Sequence, residues 1–383
     1  MLPMVQGEDA RPDLRSLSAS ELSELVARLG EKPYRARQLY SWLHRRGAAS
    51  LGEMTDLPRP FRERLAAETR LATLAIDAVQ QSSDGTRKYR LRTQDGKLIE
   101  SVYMPDEAGP QSFDPEADEE EPAARVRRTL CVSTQVGCAM GCGFCMTATM
   151  GLVRNLSAGE IADQVYRVNA DLRALGLPGE RPLTNLVYMG MGEPLHNYDN
   201  VLRSLELLLS EEGANFSQRH ITVSTSGLVP NIGRFAEDTQ VKLAVSLNAT
   251  TDEQRAKLMP VDKKWNIAAL IDAVRRFPSR QGRRVTFEYV LLRDVNDSDA
   301  DAGRLAALLK GLPVKVNLIP YNENPGLGFG DPGAERLAAF RRILSARGIT
   351  AMVRKNRGRD IAAACGQLAV EGQRKARVRA ERN

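Results

Sequence analysis

The chain has 383 residues, 42% hydrophobic and 27% charged, with a formal net charge of +6. This balance excludes a disordered chain and fits two globular domains, or one large α/β domain with additions. No stretch approaches the length of a membrane span, the opening MLPMVQGEDARPD lacks the apolar core of a signal peptide, and five cysteines with three packed into eight residues make no secreted disulfide framework, so a cytoplasmic protein is expected.

Residues 15–72 read as helical. Ser18-Ala19-Ser20-Glu21 fits a capping box, ELSELVARLG repeats leucines at helical spacing and stops at Gly30, a second helix follows Pro33, and a third surrounds RPFRERLAAET. Residues 73–104 change character: Asp84-Gly85 and Asp95-Gly96 are hairpin turn signals flanked by KYRLRT and KLIESVYM. An acidic run, with six acids between Asp114 and Glu121 and prolines at 110 and 122, reads as a mobile surface loop. The remainder is distinctly basic, which suits a polyanionic partner. The expected domains are a helical accessory domain (1–72), a β-hairpin linker with the acidic loop (73–124), a core (125–370) and a basic C-terminal tail (371–383).

From Thr129 onward, short apolar strands recur: TLCVS, TNLVYMG, HITVSTSG, VKLAVSLN, VTFEYVLL and VKVNLIP. Helical patterns such as AGEIADQVYRVNADL, NVLRSLELLLS and IAALIDAVRRF lie between them. Alternating strand and helix implies parallel strands joined by crossovers. Six units are too few for a complete eight-unit barrel, so the expectation is an α/β fold built on a partial, open (β/α)6 barrel, with functional loops at the C-terminal ends of its strands.

Cys138, Cys142 and Cys145 follow the first of these strands with the spacing C-x3-C-x2-C. A zinc site completed by Cys131, Cys365, His196 or His220 is one reading, but zinc sites usually carry paired C-x2-C clusters and there is no second cluster here. The spacing resembles the radical S-adenosylmethionine (SAM) signature. That resemblance implies a 4Fe–4S cluster held by three cysteines, with the fourth iron left for the amino and carboxylate groups of SAM, whose reductive cleavage yields a 5′-deoxyadenosyl radical. Phe144 fits the aromatic that shields the cluster in that superfamily.

The resemblance extends further. TLCVSTQVGCAMGCGFC, MGMGEPLHN, VSTSGLVP, NLIPYN and RKNRGRDIAAACGQL, with GEKPYRARQLYSWL in the helical region, together resemble the RlmN family, from about Leu14 to Leu368. The family is one of dual-specificity adenine-C2 methyltransferases. The resemblance implies 23S rRNA (adenine 2503, peptidyl transferase centre) and certain tRNAs (adenine 37) as substrates, two SAM molecules per turnover, one 4Fe–4S cluster, an electron donor such as flavodoxin, and a monomer without membrane attachment. It implies that Gly192 and Glu193 bind the SAM amino end, and that Ser224, Ser246, Leu247, Asn248 and Asn317 make further SAM contacts. Asn248 stands where histidine is frequent in the family; an amide still donates and accepts hydrogen bonds.

On composition alone, Cys131 and Cys365 are small buried hydrophobes. The family match makes Cys365 the methyl carrier, Cys131 the thiol that resolves a protein–RNA adduct, and Glu100 the general base for the C2 proton; from spacing alone Glu100 is an exposed strand residue. Arg354, Lys355, Arg357 and Arg359 form a basic cluster suited to RNA. Two alternatives stand beside this reading: C8 methylation of the same rRNA adenine, and a non-catalytic zinc-dependent RNA-binding protein.

Overall fold

The computed structural model describes residues 11–106, 126–278, 284–324 and 326–370; the acidic run at 111–122 and the basic tail at 371–383 lie outside the described residues. Ser18 caps the first helix, α1 (Ala19–Arg28), through the capping box that the sequence carries, with Glu21 closing it from the third position. Leu22, Leu25 and Val26 form its buried stripe. Helices α2 (Tyr34–Tyr40) and α3 (Arg59–Glu68) complete the N-terminal region.

A meander follows, β1 (Ala75–Gln81), β2 (Arg87–Arg92) and β3 (Leu98–Asp106), antiparallel throughout. Its two turns place Gly85 and Gly96 at φ of +81° and +76°, where glycine carries no steric penalty. The meander is not a separate sheet. β3 pairs antiparallel with β4 (Arg127–Cys131), so that Val102 sits opposite Cys131.

β4 opens the parallel part. The short hairpin β5 (Gln135–Gly137) and β6 (Leu152–Asn155) brackets α4 (Met146–Thr149) and forms its own two-stranded sheet. Then strands and helices alternate: α5 (Ala158–Ala174), β7 (Asn185–Tyr188), α6 (Tyr198–Leu209), β8 (Ile221–Thr225), α7 (Val229–Asp238), β9 (Lys242–Ser246), α8 (Asp252–Leu258), α9 (Ile267–Arg276), β10 (Val285–Leu291), α10 (Asp299–Leu309), β11 (Val314–Pro320), α11 (Ala334–Ala346) and β12 (Ala351–Val353).

The large sheet has the order β1-β2-β3-β4-β7-β8-β9-β10-β11-β12, and every pair from β4 onward is parallel. It stays open, with β1 and β12 as its edges. The partial α/β barrel is therefore present, with one parallel strand more than the six expected. β12 has only three residues, too few to register as an apolar run beside the basic stretch that follows it. The central strands are buried along almost their whole length, β8 entirely so, as strands covered on both faces must be. Among the described residues no helix is long and apolar enough to cross a membrane.

Candidate active site

The strand order puts the C-terminal ends of β4, β7, β8, β9 and β11 on one rim, and almost every site residue expected from sequence lies there. The three-cysteine loop leaves the β4 side of that rim between β5 and α4. Its backbone is held at several points: Cys138 N–H donates to the Gly151 carbonyl at 3.1 Å, Gly143 N–H to the Leu258 carbonyl at the end of α8 at 2.9 Å, and Met146 N–H to the Gly366 carbonyl at 2.8 Å. The last bond ties the loop directly to the segment carrying Cys365. Cys142 and Phe144 pack against a small apolar cluster of Ala249, Leu258, Met259, Leu292 and Tyr321.

Burial pushes the Cys138 thiol up to about 12, with Cys145 and Glu193 adding to the shift, and raises Cys142 further, with Cys145, Cys138 and Glu193 again the neighbouring charges. Ionising such buried, mutually repelling groups calls for a cationic centre among them. Among the described residues, no three His, Cys, Asp or Glu side chains converge tightly enough to hold a single metal ion. Three cysteine thiols on one loop match the ligand set of an iron–sulfur cube with one open corner.

Glu193 follows β7. It is 3% exposed, and its carboxylate accepts from Leu195 N–H at 3.0 Å and Ser226 N–H at 2.8 Å. Burial raises its pKa. The Thr225 and Ser226 hydroxyls also hold it; both are rotatable donors that an incoming ammonium group could displace from a carboxylate with about four lone-pair sites. Gly192 has φ +101°, and a Cβ there would meet Gln135 Cβ at 2.5 Å; a Cβ on Gly190 would meet the Val132 carbonyl at 2.7 Å. The close approach that these glycines permit is thus to the β4–β5 connection of the chain itself.

Across β9, β10 and β11, Ser246, Glu288 and Asn317 are register partners, one polar row on one face. Ser224 on β8 donates to Glu288 Oε2 at 3.3 Å. Asn317 is 1% exposed, and its Oδ1 has no hydrogen-bond partner, a buried acceptor suited to a ligand donor. Leu247 is fully buried at the end of β9, its N–H bonded to the Glu288 carbonyl at 3.0 Å. Asn248, at φ +56°, is turned into the protein: its Oδ1 accepts from Val290 N–H at 2.8 Å and its Nδ2 lies 3.2 Å from Met259 Sδ.

Cys131 ends β4, buried, and Cys365 is half-buried; none of the five cysteines is in a disulfide. Burial pushes the Cys131 thiol up to about 12, and Cys365 adds most to the shift, with Arg354 opposing. Glu100 is not exposed. It is 5% accessible on β3, its Oε2 accepts from Ala369 N–H at 3.0 Å, and Lys88 Nζ lies 3.6 Å from its Oε1. Burial raises its pKa against the opposing pull of Lys88.

Several residues of this site are silent in the sequence reading. Arg255 on α8 is fully buried; it donates to the carbonyls of Leu247 at 3.1 Å and Ser226 at 2.6 Å, and pairs with Asp262 at 3.0 Å. It locks the ends of β8 and β9 together, yet in TDEQRAKL it reads as ordinary solvated charge. Glu288 had a signal, a lone acid in the apolar run VTFEYVLL. Arg354, expected in an RNA-facing basic cluster, instead turns inward to Glu288 Oε1 at 3.6 Å; Lys355 and Arg359 are the exposed members.

This rim, on an open parallel barrel with three loop cysteines after its first strand, defines a radical SAM enzyme. The family model described as Radical SAM superfamily matches residues 132–306, and that described as Ribosomal RNA large subunit methyltransferase N-terminal domain matches residues 12–71. A dual-specificity RNA methyltransferase RlmN of Anaeromyxobacter dehalogenans is 62% identical over 95% of this chain and 93% of its own length. One of Myxococcus xanthus, RlmN 2, is 59% identical over 95% of this chain and 92% of its own. The crystal structure of a radical SAM methyltransferase from Sphaerobacter thermophilus superposes with a TM-score of 0.83 at 49% identity, over 93% of this chain and 99% of that one. The chain belongs to the RlmN family of SAM-dependent RNA methyltransferases.

Proposed function

We propose that this chain methylates carbon 2 of adenine, at adenine 2503 of 23S rRNA and adenine 37 of certain tRNAs, with Cys365 as the methyl carrier. The observation that carries the reading is that the Cys365 segment is tied to the three-cysteine loop, through Met146 N–H to the Gly366 carbonyl at 2.8 Å, and to the Glu100 carboxylate, through Ala369 N–H at 3.0 Å, with Cys131 near enough to Cys365 for the two thiols to act on each other electrostatically. Carbon 2 of adenine is an electron-poor amidine carbon and cannot attack the methyl of SAM as a nitrogen would, so the methyl group must first be loaded on the protein.

In this reading Cys138, Cys142 and Cys145 hold the 4Fe–4S cluster, and Gly192, Glu193, Ser224, Ser246, Leu247, Asn248 and Asn317 line the SAM site. Bound there, cluster and SAM supply a methyl cation equivalent from one SAM and, after one-electron reduction by a donor such as flavodoxin, a 5′-deoxyadenosyl radical from a second.

The Cys365 thiolate takes the methyl group and becomes a thioether. Loss of one hydrogen atom from that S-methyl group leaves a carbon radical, which forms a bond to adenine C2. Glu100 accepts the C2 proton, and the cluster that Cys138, Cys142 and Cys145 would hold would supply the one-electron acceptor that this step requires. The Cys131 thiolate then attacks the Cys365 sulfur. The sulfur–sulfur bond forms, the sulfur–carbon bond breaks, and its electron pair, joined by a proton, completes the methyl group on the base. The Cys131–Cys365 disulfide needs a thiol reductant before the next turnover. Glu193, fixed by two backbone N–H groups, can exchange the rotatable Thr225 and Ser226 hydroxyls for the SAM ammonium, and Asn317 Oδ1 is free to accept from SAM. Lys355 and Arg359 offer charge to the RNA backbone, which positions without reading sequence.

Nucleoside mass spectrometry of rRNA and tRNA treated with the reduced holoenzyme tests the reading. It expects 2-methyladenosine in both RNAs; 8-methyladenosine, or no methylated adenosine, would overturn it.

A further inference from the structure

Lys88 belongs to no motif and stands twelve residues from Glu100, yet the β2–β3 register puts the two on one face of the sheet. Arg90 is paired directly with Glu100, and Lys88 lies one diagonal step further, beside Val102. Cys131 shares that face, since it is the partner of Val102 from β4. Arg90 is already engaged, with Asp77 Oδ2 2.5 Å from its Nε at the edge of the sheet, and its side chain is 45% exposed. Lys88 is the cation left for the carboxylate. Its side chain is only 11% exposed, and its Nζ lies 3.6 Å from Glu100 Oε1 and 3.3 Å from the Ala362 carbonyl.

The two contacts of that ammonium bracket a specific segment. Ala362 lies three residues before Cys365 and adopts a left-handed φ of +49°, which a non-glycine residue holds only when its surroundings enforce it. Ala369, four residues after Cys365, donates its N–H to the other oxygen of the same carboxylate at 3.0 Å. Glu100 and Lys88 therefore close a ring of contacts, carboxylate to ammonium to Ala362, and carboxylate to Ala369, with Cys365 in the arc between.

We infer that Lys88 is a positioning residue for the methyl-transfer chemistry: by bridging the Glu100 carboxylate and the Ala362 carbonyl, it fixes the base relative to the Cys365 segment. The inference rests on the reading of Glu100 as the base. Its physical content is direct. The groups facing Glu100 are Lys88 and Arg90 from β2, Cys131 from β4 and the Ala369 N–H. Burial favours the neutral carboxyl, and Lys88 is the foremost charge opposing it. Without Lys88 the carboxyl holds its proton to higher pH, so a base that works only when ionised works only at higher pH.

The test is the pH dependence, from about pH 6 to 9, of single-turnover release of methylated RNA by holoenzyme already methylated on Cys365. It compares the native chain with Lys88→Met, Lys88→Gln, Lys88→Arg and Glu100→Gln. Lys88→Met and Lys88→Gln should move the acidic limb upward by about one pH unit or more, the scale of one close opposite charge. Lys88→Arg should restore the native limb. Amide hydrogen exchange at Ala369 should quicken in Lys88→Met and remain native in Lys88→Arg; Lys88→Gln, which keeps a donor for Ala362 but no charge, provides the same pH test if Lys88→Met does not fold. A native acidic limb together with native exchange at Ala369 in the uncharged variants would overturn the role of Lys88. Normal release by Glu100→Gln would instead overturn the reading of Glu100 as base, and the exchange rates at Ala369 would still decide whether Lys88 latches the segment.

Discussion

At the scale of single residues, the site sets buried thiols and carboxylates against few cations. Burial raises the Cys142 thiol well above its ordinary value, and Cys145 and Cys138 add to the shift. Cys142→Ala should abolish the iron–sulfur absorption of the anaerobic protein and all methylation, while the apolar cluster around Phe144 keeps the loop folded; full iron content with activity would contradict the assignment. Arg255 is the residue whose burial is hardest to justify without a role, since a fully buried guanidinium is stable only when its donors are engaged. It is engaged, by three strand-end carbonyls and Asp262. Arg255→Met should therefore weaken SAM binding in an equilibrium titration by about tenfold or more, because the ends of β8 and β9 lose their common anchor. SAM affinity equal to the native value would show that those ends hold their own geometry.

Among the elements, the antiparallel meander does more than extend the sheet. Its β1–β2 turn grips the segment that leads to Cys365: Gly358 N–H donates to Asp84 Oδ2 at 2.9 Å, and Ser82 Oγ donates to Asp360 Oδ1 at 2.6 Å. Although burial opposes ionisation, the hydrogen bonds from Thr86, Gly358 and Ser82 hold the Asp84 carboxyl down to about 2. Its contribution is present above the ordinary carboxylate value and is lost only as pH falls through about 2, so it is constant in the neutral range. Asp84→Ala should speed amide exchange at Gly358 roughly tenfold, equivalent to one lost hydrogen bond of about 1.4 kcal/mol, and slow methylation without altering iron content. Exchange at the native rate would place the anchor elsewhere. The turn itself was legible, because Asp-Gly between alternating strands has one local meaning; its hold on a segment some 270 residues later was not, because such contacts leave no local pattern. The same distinction holds along the barrel. The capping box at Ser18, the six longer parallel strands and the cysteine spacing are local patterns. The inward turn of Arg354 toward Glu288, the structural engagement of Asn248 and the three-residue β12 depend on neighbours that only the folded chain brings together.

For the whole molecule, the N-terminal helices are joined to the barrel through a buried charge. Arg15, fully buried, pairs with Asp163 of α5 at 3.3 Å, donates to the carbonyls of Leu43 and Ala48, and lies 5.2 Å from the Tyr166 ring centre. Asp163 in turn accepts from Leu74 N–H at 2.7 Å. Without Arg15, Asp163 keeps only Arg167 at 3.4 Å and the Leu74 N–H, and the Leu43 and Ala48 carbonyls lose their donor, so Arg15→Met should cost about 2–3 kcal/mol in chemical denaturation; a native midpoint would contradict this account of the seam. That seam matters because an RNA target must be unstacked and held while its base reaches the rim, and a rigid accessory region is suited to that. The central claim remains the two-cysteine route, and Cys131→Ala tests it most directly. The role proposed for Cys131 begins only after the carbon–carbon bond has formed. The variant should bind the cluster, methylate Cys365 and attack adenine, then stall. Mass spectrometry after boiling in detergent should find RNA covalently attached at Cys365 and removed by ribonuclease, with no such adduct in Cys365→Ala. Release of normally methylated RNA by Cys131→Ala, without an adduct, would contradict it.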